Sequence, residues 1–569
     1  MDNRDGVGNR AAGPAPFDKG IWRHAGEWSD RVAIQEAGRP DARQVTFAQL
    51  LEGANALSHA LTHAGVKPGD TVAAMLPNGI EFFTLYFATQ QSGLYLTPVN
   101  HHLTWEEVSY QLSDSGCVLL LAHERFADVA RWAADDAGLR PDQRLAAGPT
   151  AGPAGPSAAA GPSGPAPAAG PASASGPSGL SGPAAGVGSI DGFSSLADAL
   201  ADAGHDPPDP RRPGEMMVYT SGTTGRPKGV RRPLGNGDLM PQLETMIAVT
   251  LGEHPDHGVH LVSGPLYHRG PNIPAISALH AGQTLILIDR WEPERALQLI
   301  EEHRVTTGFM VPTMFHRLLA LPGEVRARYD TSSLQRVIHS AAPCPVEVKR
   351  AMIEWWGPVI YESYGATEGG GTTVGPLAWL RKPGTVGRPW SGAEVHVFDD
   401  AGSPCPPGVP GRVFVKSASP AFMYHQDWDK TLGSRMGDLI TLGDIGYLDD
   451  EGFLFLCGRQ SDMIISGGVN VYPAEIEAVL LAHPEVSDAG VIGIPDDEWG
   501  ERVHAVVQLY PDAEPDAGPR LLAHCRRHLA AYKCPRSIEF REDLPRTEAG
   551  KLYKRRIRDE YWTDSGRQI

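Results

Sequence analysis

A short apolar strand that ends in a loop of small hydroxyl residues and glycines, closed by a lysine, constrains this chain more than any other feature. It runs Met216-Met217-Val218-Tyr219-Thr220-Ser221-Gly222-Thr223-Thr224-Gly225-Arg226-Pro227-Lys228-Gly229-Val230. Glycines let backbone N–H groups turn toward an anion, and the hydroxyls add short donors. Lys228 supplies a compact positive charge suited to phosphate oxygens. A flexible Ser/Gly/Thr linker would explain the composition, but not the apolar strand before it or the Pro-Lys-Gly exit. The spacing is not that of the GxxxxGK[ST] phosphate loop. It is a polyphosphate grip of another design.

At 569 residues the chain exceeds one ordinary core, so two or more domains are expected. The formal charge of -18 argues against a nucleic-acid partner, whose binding face needs a basic field. Local basic clusters can still hold nucleotide phosphates. The six cysteines (117, 344, 405, 457, 525, 534) lack metal-ligand spacing and read as free thiols in a reducing compartment. There is no charged-then-apolar leader and no uncharged apolar run long enough to span a bilayer. A soluble, cytoplasmic protein is expected.

Over the first 140 residues helix patterns from residue 47, at 81–91 and at 104–113 alternate with strand patterns at 71–76, 95–99 and 117–122. That alternation predicts parallel sheets with helical cover. Residues 146–188 are almost only Ala, Gly, Pro and Ser, too apolar-poor to offset ordering entropy, and read as a flexible surface insertion rather than a linker. Short alternating strands at 394–398, 411–415 and 452–457 precede a boundary near 457–462. Beyond it come helix patterns at 473–482 and 518–529, strands at 486–494, 503–509 and 537–542, and a basic helix at 551–561.

Further motifs follow the phosphate loop in order. They are Ser340-Ala341-Ala342-Pro343, then Tyr361-Glu362-Ser363-Tyr364-Gly365-Ala366-Thr367-Glu368-Gly369, then Gly443-Asp444 with Gly458-Arg459 fifteen residues on. After these come Ser466-Gly467-Gly468-Val469-Asn470 and Pro545-Arg546-Thr547-Glu548-Ala549-Gly550-Lys551. One carboxylate suffices for Mg²⁺, which takes hard oxygens and keeps waters and substrate phosphates. A bidentate acceptor between glycine bends suits a vicinal diol. Alone, each motif also reads as a turn, a hairpin or a solvated surface.

Together the series, from about Asp30 to Arg558, resembles the adenylate-forming superfamily, of acyl-CoA synthetase or AMP-dependent fatty-acyl-CoA ligase type. The resemblance implies a large α/β N-terminal domain, of parallel sheets with helices plus a small β-barrel-like subdomain, spanning 1–458. A smaller, mobile α+β C-terminal domain would span 459–569. It implies nucleotide contacts from Thr220, Ser221, Gly222, Thr223, Thr224, Gly225, Lys228, Ala341, Ala342, Pro343, Glu362, Ser363, Tyr364, Gly365, Asp444 and Arg459. Tyr364 would stack on adenine, Thr367 touch the α-phosphate, Glu368 hold Mg²⁺ and Lys551 bridge carboxylate and α-phosphate. Gly467, Gly468, Val469 and Asn470 would line the CoA arm's tunnel. Ser461 takes the hinge position, where the family typically has Asp or Lys. His268, in Pro265-Leu266-Tyr267-His268-Arg269-Gly270, orients the carboxylate, gates the tunnel or serves packing alone.

The implied activity is an acid–thiol ligase using ATP, Mg²⁺ and coenzyme A to make an acyl-adenylate and then an acyl-CoA. Residues 268–273, 311–314 and 339–342 read as apolar or neutral, which fits a fatty, terpenoid or aromatic monocarboxylic acid. The alternatives are an acyl-AMP ligase loading an acyl carrier protein, a ligase specialised for one half-reaction, and an inactive nucleotide-binding regulator. Oligomeric state is open, a homodimer being admitted.

Overall fold

The computed structural model describes residues 17, 19–37, 42–148, 190–220, 227–235, 240–252, 257–417, 422–466, 469–496, 498–511, 513–514, 516–546 and 551–562. The alternation of strand and helix patterns builds one parallel sheet and the parallel part of a second, larger one, both faced by helices. In one, Cys117–His123, Thr71–Met75 and Tyr95–Pro98 lie at the centre of six parallel strands. Their sequences are continuous apolar runs because both faces are covered. The strand Thr71–Met75, for example, is buried at every position. Arg144–Ala147 continues this sheet and takes in the first two residues of the Ala/Gly/Pro/Ser-rich stretch. Its neighbour is Ser194–Ser195, in parallel register with Leu145 opposite Ser194. Residues 149–189, most of that stretch, lie outside the described residues.

The second sheet has 14 strands. Its parallel half runs Val32–Ala37, Thr284–Ile288, Val259–Val262, Thr307–Met310, Arg336–His339 and Ile360–Gly365. At Ile360–Gly365 the chain reverses, and every later strand is antiparallel: Gly371–Val374, Thr385–Pro389, Leu454–Arg459, Leu439–Leu448, Gly411–Lys416 and Glu394–Phe398. The small subdomain is therefore hydrogen-bonded as the far end of the large sheet. A core with Phe47, Phe83, Phe87 and Leu279 takes in Val72 and Leu121 from the first sheet and Leu285 and Leu287 from the second, and another, with Phe315 and Trp379, packs on Ile286 and Ile338 of the second.

After Arg459 a single 3₁₀ turn, Gln460–Asp462, leads to a separate five-stranded sheet. The helices Pro473–Leu481 and Ala517–His528 cover one face, around Ile476, Leu480, Leu521, Val503 and Val507. The basic helix Lys554–Trp562 buries Ile557 on the other, against Ile492 and Val506.

Candidate active site

Thr220 and Lys228 face each other across an antiparallel pair, Val218–Thr220 with Lys228–Arg231, so the strand pairing fixes both ends of the phosphate loop. Ser221, Gly222, Thr223, Thr224 and Gly225 lie outside the described residues. The ends are anchored further. The Tyr219 hydroxyl donates to Asp114 Oδ2 at 2.6 Å, and the Tyr110 hydroxyl donates to the Pro227 carbonyl at 3.1 Å. The Lys228 ammonium meets Asp427 Oδ2 at 2.9 Å, a contact that raises its pKa. Asp427 also caps the helix Trp428–Gly433 by accepting from the Lys430 amide.

The strand Ile360–Gly365 turns back onto Gly371–Val374, with Gly365 opposite Gly371. The turn needs glycine. Gly369 and Gly370 have φ of 115° and 72°, and a Cβ on Gly371 would stand 2.2 Å from the Tyr364 carbonyl. Thr367 and Glu368 sit on this turn. Its shape is pinned from outside: the Arg232 guanidinium donates to the Thr367 carbonyl at 2.5 Å, and the Tyr424 hydroxyl donates to Glu368 Oε1 at 2.8 Å. Tyr424 belongs to the strand Met423–Tyr424, which pairs with Lys228–Arg231 and so ties the Glu368 carboxylate to the phosphate hairpin.

Asp444 and Arg459 are register partners on adjacent antiparallel strands, which explains their fifteen-residue spacing. Arg459 Nε lies 3.4 Å from Asp444 Oδ1, and the Tyr364 hydroxyl donates to Asp444 Oδ2 at 2.7 Å. Burial raises the Asp444 carboxyl, while Arg459, Tyr364 and Lys551 draw it back down. Ala341, in the turn after Arg336–His339, holds φ of 75°, a strained left-handed backbone for a residue with a Cβ. Ala342, Pro343, Ser363 and Gly365 line the cleft beside it. Glu362 also lines it, but its carboxylate turns to the buried Lys349 ammonium at 2.6 Å, which in turn lies 4.7 Å from the Trp379 ring centre.

The C-terminal module contributes Lys551 to this same cleft of about 1670 Å³. An isolated antiparallel bridge pairs Arg546 with Leu552, and Arg546 is held by Asp488 at 2.6 Å. Residues 547–550 lie outside the described residues. Burial lowers the Lys551 pKa; Arg459 lowers it further, against Asp462, Asp444 and Glu368. Lys551 acts back on His268, whose pKa burial brings down to about 4, so this imidazole is neutral at physiological pH. The Tyr510 hydroxyl lies within hydrogen-bond distance of His316 Nε2, at 2.7 Å with the rings stacked, which joins the C-terminal module to the helix Pro312–Leu319.

Ser461 lies exposed in the 3₁₀ turn, its hydroxyl donating to Asp462 Oδ1 at 3.1 Å. Gly467 and Gly468 lie outside the described residues. Val469 and Asn470 are exposed on a strand edge and do not line the cleft. No group of three or more His, Cys, Asp or Glu side chains suited to a metal ion occurs among the described residues. A single carboxylate such as Glu368 fits a Mg²⁺ that takes its other oxygens from phosphate and water. Tyr424, Asp427 and Arg232 escape a reading of the sequence, since only sheet pairing across distant segments brings them to the motifs. The cleft also holds Glu215 and Arg269, the latter within the 268–273 segment that the sequence reads as apolar or neutral.

A model of the AMP-binding enzyme matches residues 21–425, and one of the AMP-binding enzyme C-terminal domain matches 475–551. The chain is an AMP-binding enzyme of the adenylate-forming superfamily. This AMP-binding enzyme is 31% identical over 539 residues to a fatty acid–[acyl-carrier-protein] ligase of Streptomyces coeruleorubidus, covering 93% of this chain and 94% of that one. It is 33% identical over 531 residues to a 2-succinylbenzoate–CoA ligase of Geobacillus kaustophilus, covering 93% and 95%. It shares the fold of a solved anthranilate CoA ligase bound to anthranoyl-AMP, with TM-score 0.78, 24% identity and coverage of 95% and 96%. No helix among the described residues is long and apolar enough to cross a membrane.

Proposed function

We propose that this AMP-binding enzyme is an ATP-dependent carboxylate–CoA ligase, AMP-forming, for a monocarboxylic acid with a largely apolar body. One observation carries the reading: Lys551 from the C-terminal module lines the same cleft as Glu368 and Asp444 from the large one. In the first half-reaction a carboxylate oxygen bonds to the α-phosphorus of ATP, the α–β P–O bond breaks, and pyrophosphate leaves. Such a displacement is mainly positioning and charge stabilisation. Asp444 and Arg459 receive the ribose, Tyr364 the adenine, and Thr220 to Lys228 the outer phosphates. For those phosphates Lys228 exchanges its Asp427 contact. Glu368 would hold Mg²⁺, which when bound neutralises phosphate charge. Lys551 stabilises the charge building between carboxylate and α-phosphate.

In the second half-reaction the chain divides at 458/459 and turns about Ser461. Lys551 withdraws, and the 467–470 loop delivers the CoA thiol to the acyl carbonyl, with AMP leaving. The exposure of Val469 and Asn470, away from the cleft, fits an orientation that serves the first step. The reaction takes place in the reducing cytoplasm, in keeping with six free cysteines. A second reading, transfer to an acyl carrier protein, is favoured by the fatty acid–[acyl-carrier-protein] ligase among the relatives. An acid panel scored separately for pyrophosphate, acyl-CoA and acyl-carrier product tests both. Pyrophosphate without thioester on CoA overturns the first reading, and no pyrophosphate with any acid overturns both.

A further inference from the structure

The acyl side of the cleft is not hydrocarbon throughout. The helix Arg269–His280 runs along it and presents Arg269, Ile273, Ser277 and His280, spaced three or four apart on one face. The helix Ile80–Ser92 contributes Tyr86 to the same cleft, and the short strand Glu215–Met216 contributes Glu215. Met246, Ile276 and Phe309 add apolar lining.

Several of these polar groups have no partner among the described residues. Ser277 is fully buried, and its hydroxyl has no hydrogen bond among the described residues; nor has the buried indole N–H of Trp22 on the same wall. The Arg269 guanidinium and the Tyr86 hydroxyl make no hydrogen bond or ion pair with a described residue. Among the described residues Glu215 accepts only from the neighbouring Met216 amide. The three lie within each other's fields. Glu215 raises Arg269, which burial and Arg232 bring down to about 10, and Glu215 and Arg269 act on Tyr86 in opposite senses. A polar group shielded from water with no partner is costly, so a hydrocarbon chain drawn past these groups would leave them unmet.

Resting on the ligase reading above, we infer that the acid carries a neutral hydroxyl or phenol on its otherwise apolar body, received by Glu215, Arg269 and Tyr86. The charges decide the class. An ammonium suits Glu215 but meets Arg269, and a second carboxylate suits Arg269 but meets Glu215. A hydroxyl donates to the carboxylate while accepting from the guanidinium or from Tyr86, so it satisfies both signs at once. The carboxylate end of the same molecule is taken by Lys551 and by His268, the chain neighbour of Arg269, both lining the cleft.

The test uses the full chain and matched acids: hydroxycinnamic against cinnamic acid, an ω-hydroxy fatty acid against the plain one, a diacid and an amino acid. Acid-dependent pyrophosphate release is read as kcat/KM. The expected preference for the hydroxylated member of at least one pair is about 10- to 100-fold, the scale of one hydrogen bond to a charged group. Glu215→Ala and Arg269→Met should each collapse that ratio toward one. A ratio near one in the wild type, or unchanged in both variants, overturns the inference while leaving the ligase reading intact. Preference for the diacid overturns it in favour of an Arg269 anion site, and preference for the amino acid in favour of a Glu215 cation site. Pyrophosphate from none of the acids overturns the ligase reading itself, and the substrate inference with it.

Discussion

Replacing Lys551 with alanine separates the two half-reactions. The ammonium stands in a half-dry cleft, in the fields of Asp444, Glu368 and Asp462 on one side and Arg459 on the other. With ATP and the acid bound, it becomes the group that meets charge gathering between carboxylate and α-phosphate. Loss of one preorganised stabiliser of this kind costs about 3–4 kcal/mol, or about two to three powers of ten in rate. Lys551 adjoins the Arg546–Leu552 bridge and the hydrogen bond from the Tyr553 amide to the Pro545 carbonyl, contacts the substitution leaves in place. Folding should therefore be preserved. Rapid-quench measurement of pyrophosphate release should show the full loss. Conversion of supplied acyl-adenylate and CoA to thioester should stay within about threefold, as expected for a step that the lysine does not touch. Because the ammonium is the active form and burial depresses its pKa, the wild-type adenylation rate should fall with rising pH below the ordinary 10.5 of lysine. That limb should vanish in the variant. An equal fall in both half-reactions, or none in the first, refutes the alternating use of the two modules.

Tyr424→Phe removes the hydroxyl that holds Glu368 and should raise the Mg²⁺ concentration for half-maximal pyrophosphate release by about tenfold, the scale of one hydrogen bond to a carboxylate. Lys349→Met strands the buried Glu362 carboxylate and should cost about 3–5 kcal/mol in denaturant unfolding, most of it recovered by adding Glu362→Gln. His280 is buried with its pKa lowered from 6.5 to about 3, so the folded state resists its protonation. The stability it gives is complete above pH 6.5 and lost as pH falls toward 3, about 2 kcal/mol of it by pH 5. His280→Gln should flatten that part of the thermal-midpoint profile.

The parts of the site that were legible in the sequence are those whose chemistry is local. Gly369, Gly370 and Gly371 announce a turn that no side chain could enter, and it does carry Thr367 and Glu368. Asp444 and Arg459 were linked through the family resemblance, and their side-by-side register on two antiparallel strands came only with the structure. The parallel sheets were legible for a related reason: strands buried on both faces, such as Thr71–Met75, have no polar alternation to blur them. What stayed hidden depends on pairing between distant segments. Nothing around Tyr424 or Asp427 marks them as companions of Glu368 and Lys228 until the third strand docks on the hairpin. Arg269 was visible but uninterpretable, since a guanidinium beside a histidine reads as surface until the helix behind it is seen to line the cleft. Glu362 lines the cleft, yet its side chain has a task the motif does not announce. Its place in the motif suggests nucleotide contact, whereas its carboxylate serves Lys349.

Leu145 and Ser194 stand side by side in one sheet although nearly fifty positions part them in the chain. The two points where the intervening chain leaves and rejoins are thus held about one interstrand spacing apart, however long the excursion. Lengthening such an excursion twofold costs only about 0.6 kcal/mol in closure entropy. A fluorescent reporter or an affinity handle spliced between those strands would travel with the catalyst while the neighbouring β-ladder kept its alignment.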